Sequence, residues 1–157
     1  MRKSRVPDEA ASDPREIDIS REAAATYSSE DQQHPLEHLL DRSFGPGASH
    51  WSSLRADATE RLLFAFHHPF TLSRLIFEAE ETEYDRTQEV RLDVSMDNGQ
   101  TYQSVLIQEY NFSPQGSTFQ HEDLRLTLNG VTHLSVTVVP NKRGTGVASL
   151  TTLRLFS

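Results

Sequence analysis

Tyr27-Ser-Ser-Glu-Asp-Gln-Gln-His-Pro-Leu-Glu-His-Leu-Leu-Asp41 runs through a glycine-bearing segment, Gly45-Pro46-Gly47, into Ser49-His-Trp-Ser-Ser53. Pro35 suits the first position of a helix, where the N–H it lacks has no partner to lose. Residues 35–40 are therefore expected to form a short helical turn, the one convincing helical signal in the chain. Trp51 follows the loop at the start of a further segment. A lone tryptophan in that position usually buries its large area, so Trp51 is expected to anchor a core.

Outward from this stretch, short runs with a period of two are separated by turn residues, which is the pattern of an all-β sandwich. Ile17 and Ile19 alternate with polar neighbours as in a first strand. Further strands are expected over residues 61–66, 72–79, 90–95, 102–110, 124–128, 134–139 and 150–156. Leu124, Leu126 and Leu128 fall on one face while Arg125 and Thr127 fall on the other, as in a half-buried strand. Val90, Leu92 and Val94 repeat the arrangement against Arg91, Asp93 and Ser95. Asp97-Asn98-Gly99 predicts a hairpin, because Asn-Gly tolerates the positive φ angles of a type I′ turn.

The chain has 157 residues, enough for one domain with a single hydrophobic core. Residues 1–15 combine Pro7, Pro14, small residues and mixed charges, and are expected to form a flexible tail; the folded domain is expected over 16–157. A formal net charge of −8, with lysine only at Lys3 and Lys142, argues against a nucleic-acid partner. There is no cysteine, hence no disulfide framework and no thiolate zinc site or nucleophile. The basic residues at the N-terminus are not followed by an apolar export segment, and no apolar run approaches the ~18 residues of a membrane span. A cytoplasmic location is expected in preference to secretion.

Several motifs, in this order and spacing, resemble the discoidin, or coagulation-factor type C, family of the galactose-binding-like superfamily. They are Ser28-Ser29, Leu39-Leu40-Asp41, Ser49-His50-Trp51, the hairpin Ser95-Met-Asp-Asn-Gly-Gln-Thr-Tyr102 and the closing segment 148–156. The resemblance implies a jelly-roll β-sandwich of about eight antiparallel strands with one short helical turn. It also implies a binding module carrying its ligand on loops at one end. Calcium is the cofactor the resemblance would bring, held by Asp41 and Ser49. The position of the family's second carboxylate is Thr152, and Arg42 replaces the usual glycine after Asp41. No cofactor is therefore expected to be required, with calcium the one candidate.

The loop Glu78-Ala-Glu-Glu-Thr-Glu-Tyr-Asp-Arg86 concentrates carboxylates, one aromatic ring and one guanidinium. This composition suits recognition of sugar hydroxyls, and it equally suits a solvated charged loop. Asn141-Lys-Arg-Gly-Thr-Gly146 is a second such loop, in which glycines permit close backbone approach and Arg143 is a hydrogen-bond donor. The leading expectation is carbohydrate binding through Glu81, Tyr84, Asp85, Arg86 and Arg143. The competing one is a stand-alone protein-interaction subunit, with the aromatic-rich segment 110–121 as an edge for a protein partner. Phe112 and Phe119 are also read as plugs for the end of the sandwich. The seven histidines are assigned surface or capping roles, since neither His34 with His38 nor His67 with His68 has a third ligand in sequence. No nucleophile elbow is present, and no enzyme is expected.

Overall fold

The computed structural model describes residues 13–157, so most of the expected tail lies outside the described residues. Among the described residues there are nine strands: β1 (Glu16–Ile17), β2 (Ala23–Tyr27), β3 (Trp51–Ala56), β4 (Glu60–Glu80), β5 (Arg86–Ser95), β6 (Gln103–Phe112), β7 (Phe119–Arg143), β8 (Val147–Leu150) and β9 (Thr152–Phe156). A short helix α1 (Ile19–Glu22) lies between β1 and β2, and a 3-10 turn covers Leu36–Leu39.

Two of these strands organise the rest. β4 has 21 residues and β7 has 25, and a straight strand of 21 residues would span about 70 Å. Instead, both bend. Residues 62–66 of β4 pair with β2 and 60–65 with 133–138 of β7, whereas residues 74–78 pair with β9 and 74–80 with 119–125 of β7. β5 continues the first half through β7, β6 forms the edge beyond it, and β1 extends the second half through β9. One antiparallel ladder thus folds over into two layers of a jelly-roll sandwich. β3 and β8 pair separately.

The bend is written in the residues. Register shifts in the β4–β7 ladder fall between Ala65 and Arg74, around Pro69, which has no N–H to give to a ladder. The opposite strand turns at Gly130, whose φ of +74° is a left-handed value. The sequence pattern separated 61–66 from 72–79 and 124–128 from 134–139. Each pair is one continuous strand, because Pro69 and Gly130 bend the chain without ending its pairing.

Three further differences have local causes. The first strand stops at Ile17, and Ile19 is buried at the start of α1. β2 was not anticipated, since Ala-Ala-Ala-Thr-Tyr lacks apolar alternation and is poor in β-formers; its pairing with residues 62–66 of β4 holds it in place. The closing segment divides at Thr151 into β8 and β9, which belong to different sheets.

The core lies between the layers. Leu62, Phe64, Leu75, Leu92, Val136 and Leu155 are each 0 % exposed. Trp51 is equally buried and donates its indole N–H to the Ser29 carbonyl at 3.2 Å, which satisfies its polar end. Phe112 is buried and Phe119 half-buried. Leu124, Leu126 and Leu128 pack against the core from a half-exposed edge of the sandwich. A buried ion pair, Arg154 Nη2 to Glu16 Oε1 at 2.6 Å, ties β1 to β9. The predicted hairpin is present, with Asn98 at φ +60° and Gly99 at φ +84°, in a loop extended by Asp97 contacts to Ser95 and Thr101.

Leu92→Ala should destabilise the fold by about 2–5 kcal/mol, the cost of a core cavity, and Leu126→Ala by clearly less. Equilibrium urea unfolding of both variants checks the ordering.

Candidate functional site

Three chain segments converge at one end of the sandwich. The first is the long connection between β2 and β3. It is pinned to β3 by two backbone bonds, Asp31 N–H to Ser52 O at 2.9 Å and Ser52 N–H to His34 O at 3.1 Å. This places His34 face to face with His50, with ring centroids 4.0 Å apart and planes 19° from parallel. The second is the β4–β5 loop, residues 81–85. The third comprises β8 and Thr151. Between them lies a cleft of about 390 Å³, lined by residues that include Asp31, His34, His50, Glu80, Tyr84 and Thr151.

Arg86 sets the floor. It is only 1 % exposed, and its guanidinium is held from four directions. Nε donates to Glu81 Oε1 at 2.7 Å, Nη1 to Gln88 Oε1 and to the Pro140 carbonyl at 3.0 Å each, and Nη2 to Ser149 Oγ at 3.3 Å. Four of the five guanidinium N–H groups are thereby used. The 144–146 turn presses on the same side chain. A Cβ at Gly144, where φ is +82°, would stand 2.6 Å from the Asp85 carbonyl; one at Gly146 would stand 3.0 Å from Arg86 Cδ. These glycines serve close packing on Arg86.

Of the residues expected from sequence, Glu81, Tyr84 and Arg86 line the cleft together. Asp85 and Arg143 are not among its lining residues. They form an exposed ion pair with each other at 2.6 Å. Tyr84 is 54 % exposed and offers its ring to solvent. Asp31, His34, His50, Ser149 and Thr151 were not singled out, since residues from three distant segments meet here only after folding. The histidines have more than surface roles: burial, with repulsion from His34 and His38, pushes the His50 pKa down, so its ring is neutral at neutral pH. Thr151 is 2 % exposed, and its Oγ1 is the one buried side-chain polar atom without a hydrogen-bond partner among the described residues.

The loop around Asp41 is where the resemblance would bring calcium. Asp41 Oδ1 accepts from the Ser43 amide at 3.0 Å and the Ser43 hydroxyl at 2.6 Å, and Oδ2 accepts from the Ser49 hydroxyl. Burial alone would raise the Asp41 carboxyl, but these bonds outweigh it and hold the pKa below the usual range. Thr152 Oγ1 lies 2.8 Å from the Ser43 carbonyl, at the position where the resemblance calls for a carboxylate. Glu78 is paired in register with Thr152 and accepts from its hydroxyl at 3.2 Å, and its oxygens also meet the Gly45 amide at 2.8 Å and His121 Nδ1 at 2.6 Å. Calcium takes six to eight oxygen ligands, several of them carboxylate. Here the oxygens of Asp41 already accept from three protein donors, and those of Glu78 are engaged by Gly45, Thr152 and His121.

No family model matches the chain, and no curated protein matches it. Solved structures do match. A family 32 carbohydrate-binding module (CBM32-3) from a family 31 glycoside hydrolase of Clostridium perfringens superposes with a TM-score of 0.66 at 15 % identity, over 97 % of this chain and 99 % of that one. The family 32 module of NanJ from C. perfringens, solved in complex with galactose, gives 0.61 at 15 % identity, over 90 % and 98 %. Chitosan-binding module 1 from a chitosanase/glucanase of Paenibacillus sp. IK-5 gives 0.59 at 15 % identity, over 90 % and 99 %. The fold is galactose-binding-like. Within this fold, the cleft has one buried guanidinium, Arg86, among its lining residues.

Arg86→Met should cost about 3–5 kcal/mol, because it leaves Glu81 without its partner, and Arg86→Lys should recover only part of this, lacking the fork. Thr151→Val should leave stability unchanged or raise it by about 1 kcal/mol, since an unpartnered buried hydroxyl is removed. Chemical denaturation measures both, and a marked loss for Thr151→Val would show that the hydroxyl has a partner in solution.

Proposed function

We propose that this chain is a non-catalytic, discoidin-like binding module that takes a carbohydrate in the cleft between the 27–50 connection, the β4–β5 loop and β8. The observation that carries the reading is a concave, polar cleft with an exposed tyrosine among its lining residues and an unpartnered hydroxyl among its buried ones. Sugars present hydroxyls on their edges and C–H groups on their faces. A site for them needs fixed donors and acceptors together with an aromatic surface.

Tyr84 and the stacked His34–His50 pair supply the flat surfaces. Glu81 and the other polar side chains lining the cleft supply polar contacts held in place before the ligand arrives. Asp85 and Arg143, paired outside the lining, steady the β4–β5 loop in this reading. The structural likeness to modules solved with galactose, or named for binding chitosan, supports a sugar over a protein partner. Binding alone accounts for the arrangement, without a chemical step.

A glycan array run with and without a chelator is the test. Reproducible binding that survives chelation is expected, with Tyr84→Ala weakening it about tenfold, or about 1.4 kcal/mol, at unchanged stability. A blank array with folded protein would overturn the proposal.

A further inference from the structure

Three imidazoles meet beside the cleft. His34 and His50 both line it and lie face to face, with ring centroids 4.0 Å apart. His38, on the 3-10 turn, meets His34 edge-on at 6.3 Å. The rings stand on backbone that is itself tied together. Ser52 N–H donates to the His34 carbonyl at 3.1 Å, and Asp31 N–H donates to the Ser52 carbonyl at 2.9 Å. The stack and these two bonds hold residues 31–34 against β3 together, so the rings cannot part widely without pulling on both bonds.

The charged groups around the stack act on it in opposite senses. Asp31 and His38 belong to the same connection, Glu80, Glu81 and Glu83 come from β4 and the loop after it, and Arg86 comes from β5. Arg86 and Glu81 are committed to each other at 2.7 Å, and Asp41 lies beyond, within reach of the His38 charge. Burial, the largest effect, and the rings of His34 and His38 oppose a proton on His50. Glu80 and Asp31 favour one, and the balance lowers the His50 pKa. The folded chain thus binds fewer protons than the unfolded chain as pH falls through the ordinary histidine value of ~6.5. The stability of the closed stack is full above that value and is lost below it. Asp31 and Glu80 can offset a first proton in the stack; a second sets two like charges face to face across 4.0 Å.

Resting on the carbohydrate reading for its consequence, we propose that the His34–His50 stack is an acid-sensitive latch on the cleft. Uncharged, it holds residues 31–34 against β3. Doubly protonated, it parts this wall from β3 and releases the bound sugar. The rest of the sandwich need not move, because β5 and β7 are held by their own ladder.

Amide hydrogen exchange of the free protein reads the latch directly. From about pH 7.5 to about pH 5.5, one unit below the ordinary histidine value, exchange at Asp31 and Ser52 should rise about tenfold over the intrinsic rate, with Leu92 and Val136 unchanged. His50→Phe and His34→Phe each keep a flat ring without a titrating group and should abolish the rise. No rise in the unaltered protein, a rise that persists in a folded Phe variant, or an equal rise at Leu92 and Val136 would overturn the latch. A glycan array run at the same two pH values reads the consequence, and its signals are expected to fall about tenfold at the lower one. Signals that hold there would refute control of the cleft by the stack. An array blank at both pH values, with the amide response intact, would remove the carbohydrate reading and leave the latch standing.

Discussion

A guanidinium taken out of water must be matched by protein groups or it unfolds its surroundings, and Arg86 is the place where this chain meets that demand. Burying an ion costs several kcal/mol even after relaxation. The cost is met by Glu81 from the β4–β5 loop, Gln88 from β5, the Pro140 carbonyl of β7 and Ser149 of β8. Four separate segments must therefore sit at fixed distances from one side chain. Gly144 and Gly146 follow from the same constraint, since a side chain at Gly144 would collide with the Asp85 carbonyl and one at Gly146 would crowd Arg86. The ring of Phe112, 5.9 Å from the guanidinium carbon, completes the enclosure.

The bent strands explain why those segments meet. β4 and β7 carry one hydrogen-bonded ladder from the first layer to the second, and Pro69 and Gly130 mark the corner. At the opposite end of the second layer, β4 ends at Glu80 and β7 begins at Phe119, paired with one another. The chain leaves β4 there for the loop that forms one wall of the cleft. The wall's position is thus a consequence of ladder register. It does not depend on the loop's own conformational preference.

The loop around Asp41 shows how one end of the sandwich is stiffened with hydrogen bonds. Serines 43 and 49 close on Asp41, while Glu78 and Glu80 reach from β4 to the amides of Gly45 and Gly47. Hydrogen bonds from backbone N–H groups to a carboxylate are stronger than those between neutral groups. They order glycine-rich backbone that would otherwise cost the most entropy to fix. Glu80 is shared between this loop and the cleft, so stiffening the loop also fixes an acidic group of the cleft.

The sequence by itself determined the all-β class, the core faces of β5 and β7, the Asn98-Gly99 turn, the helical turn after Pro35 and the burial of Trp51. Each follows from a local rule: alternation along a strand, positive φ at Asn-Gly, the fixed φ of proline, the area of an indole. It also marked Glu81, Tyr84 and Arg86 as a polar aromatic cluster, because they lie within six residues of one another. Only the tertiary structure decided that Arg86 is buried, that Asp85 and Arg143 pair with each other, and that His34 stacks on His50 beside Thr151. Those relations join segments far apart in the chain. Burial and ion pairing depend on what surrounds a side chain in space, which a pattern of period two does not record.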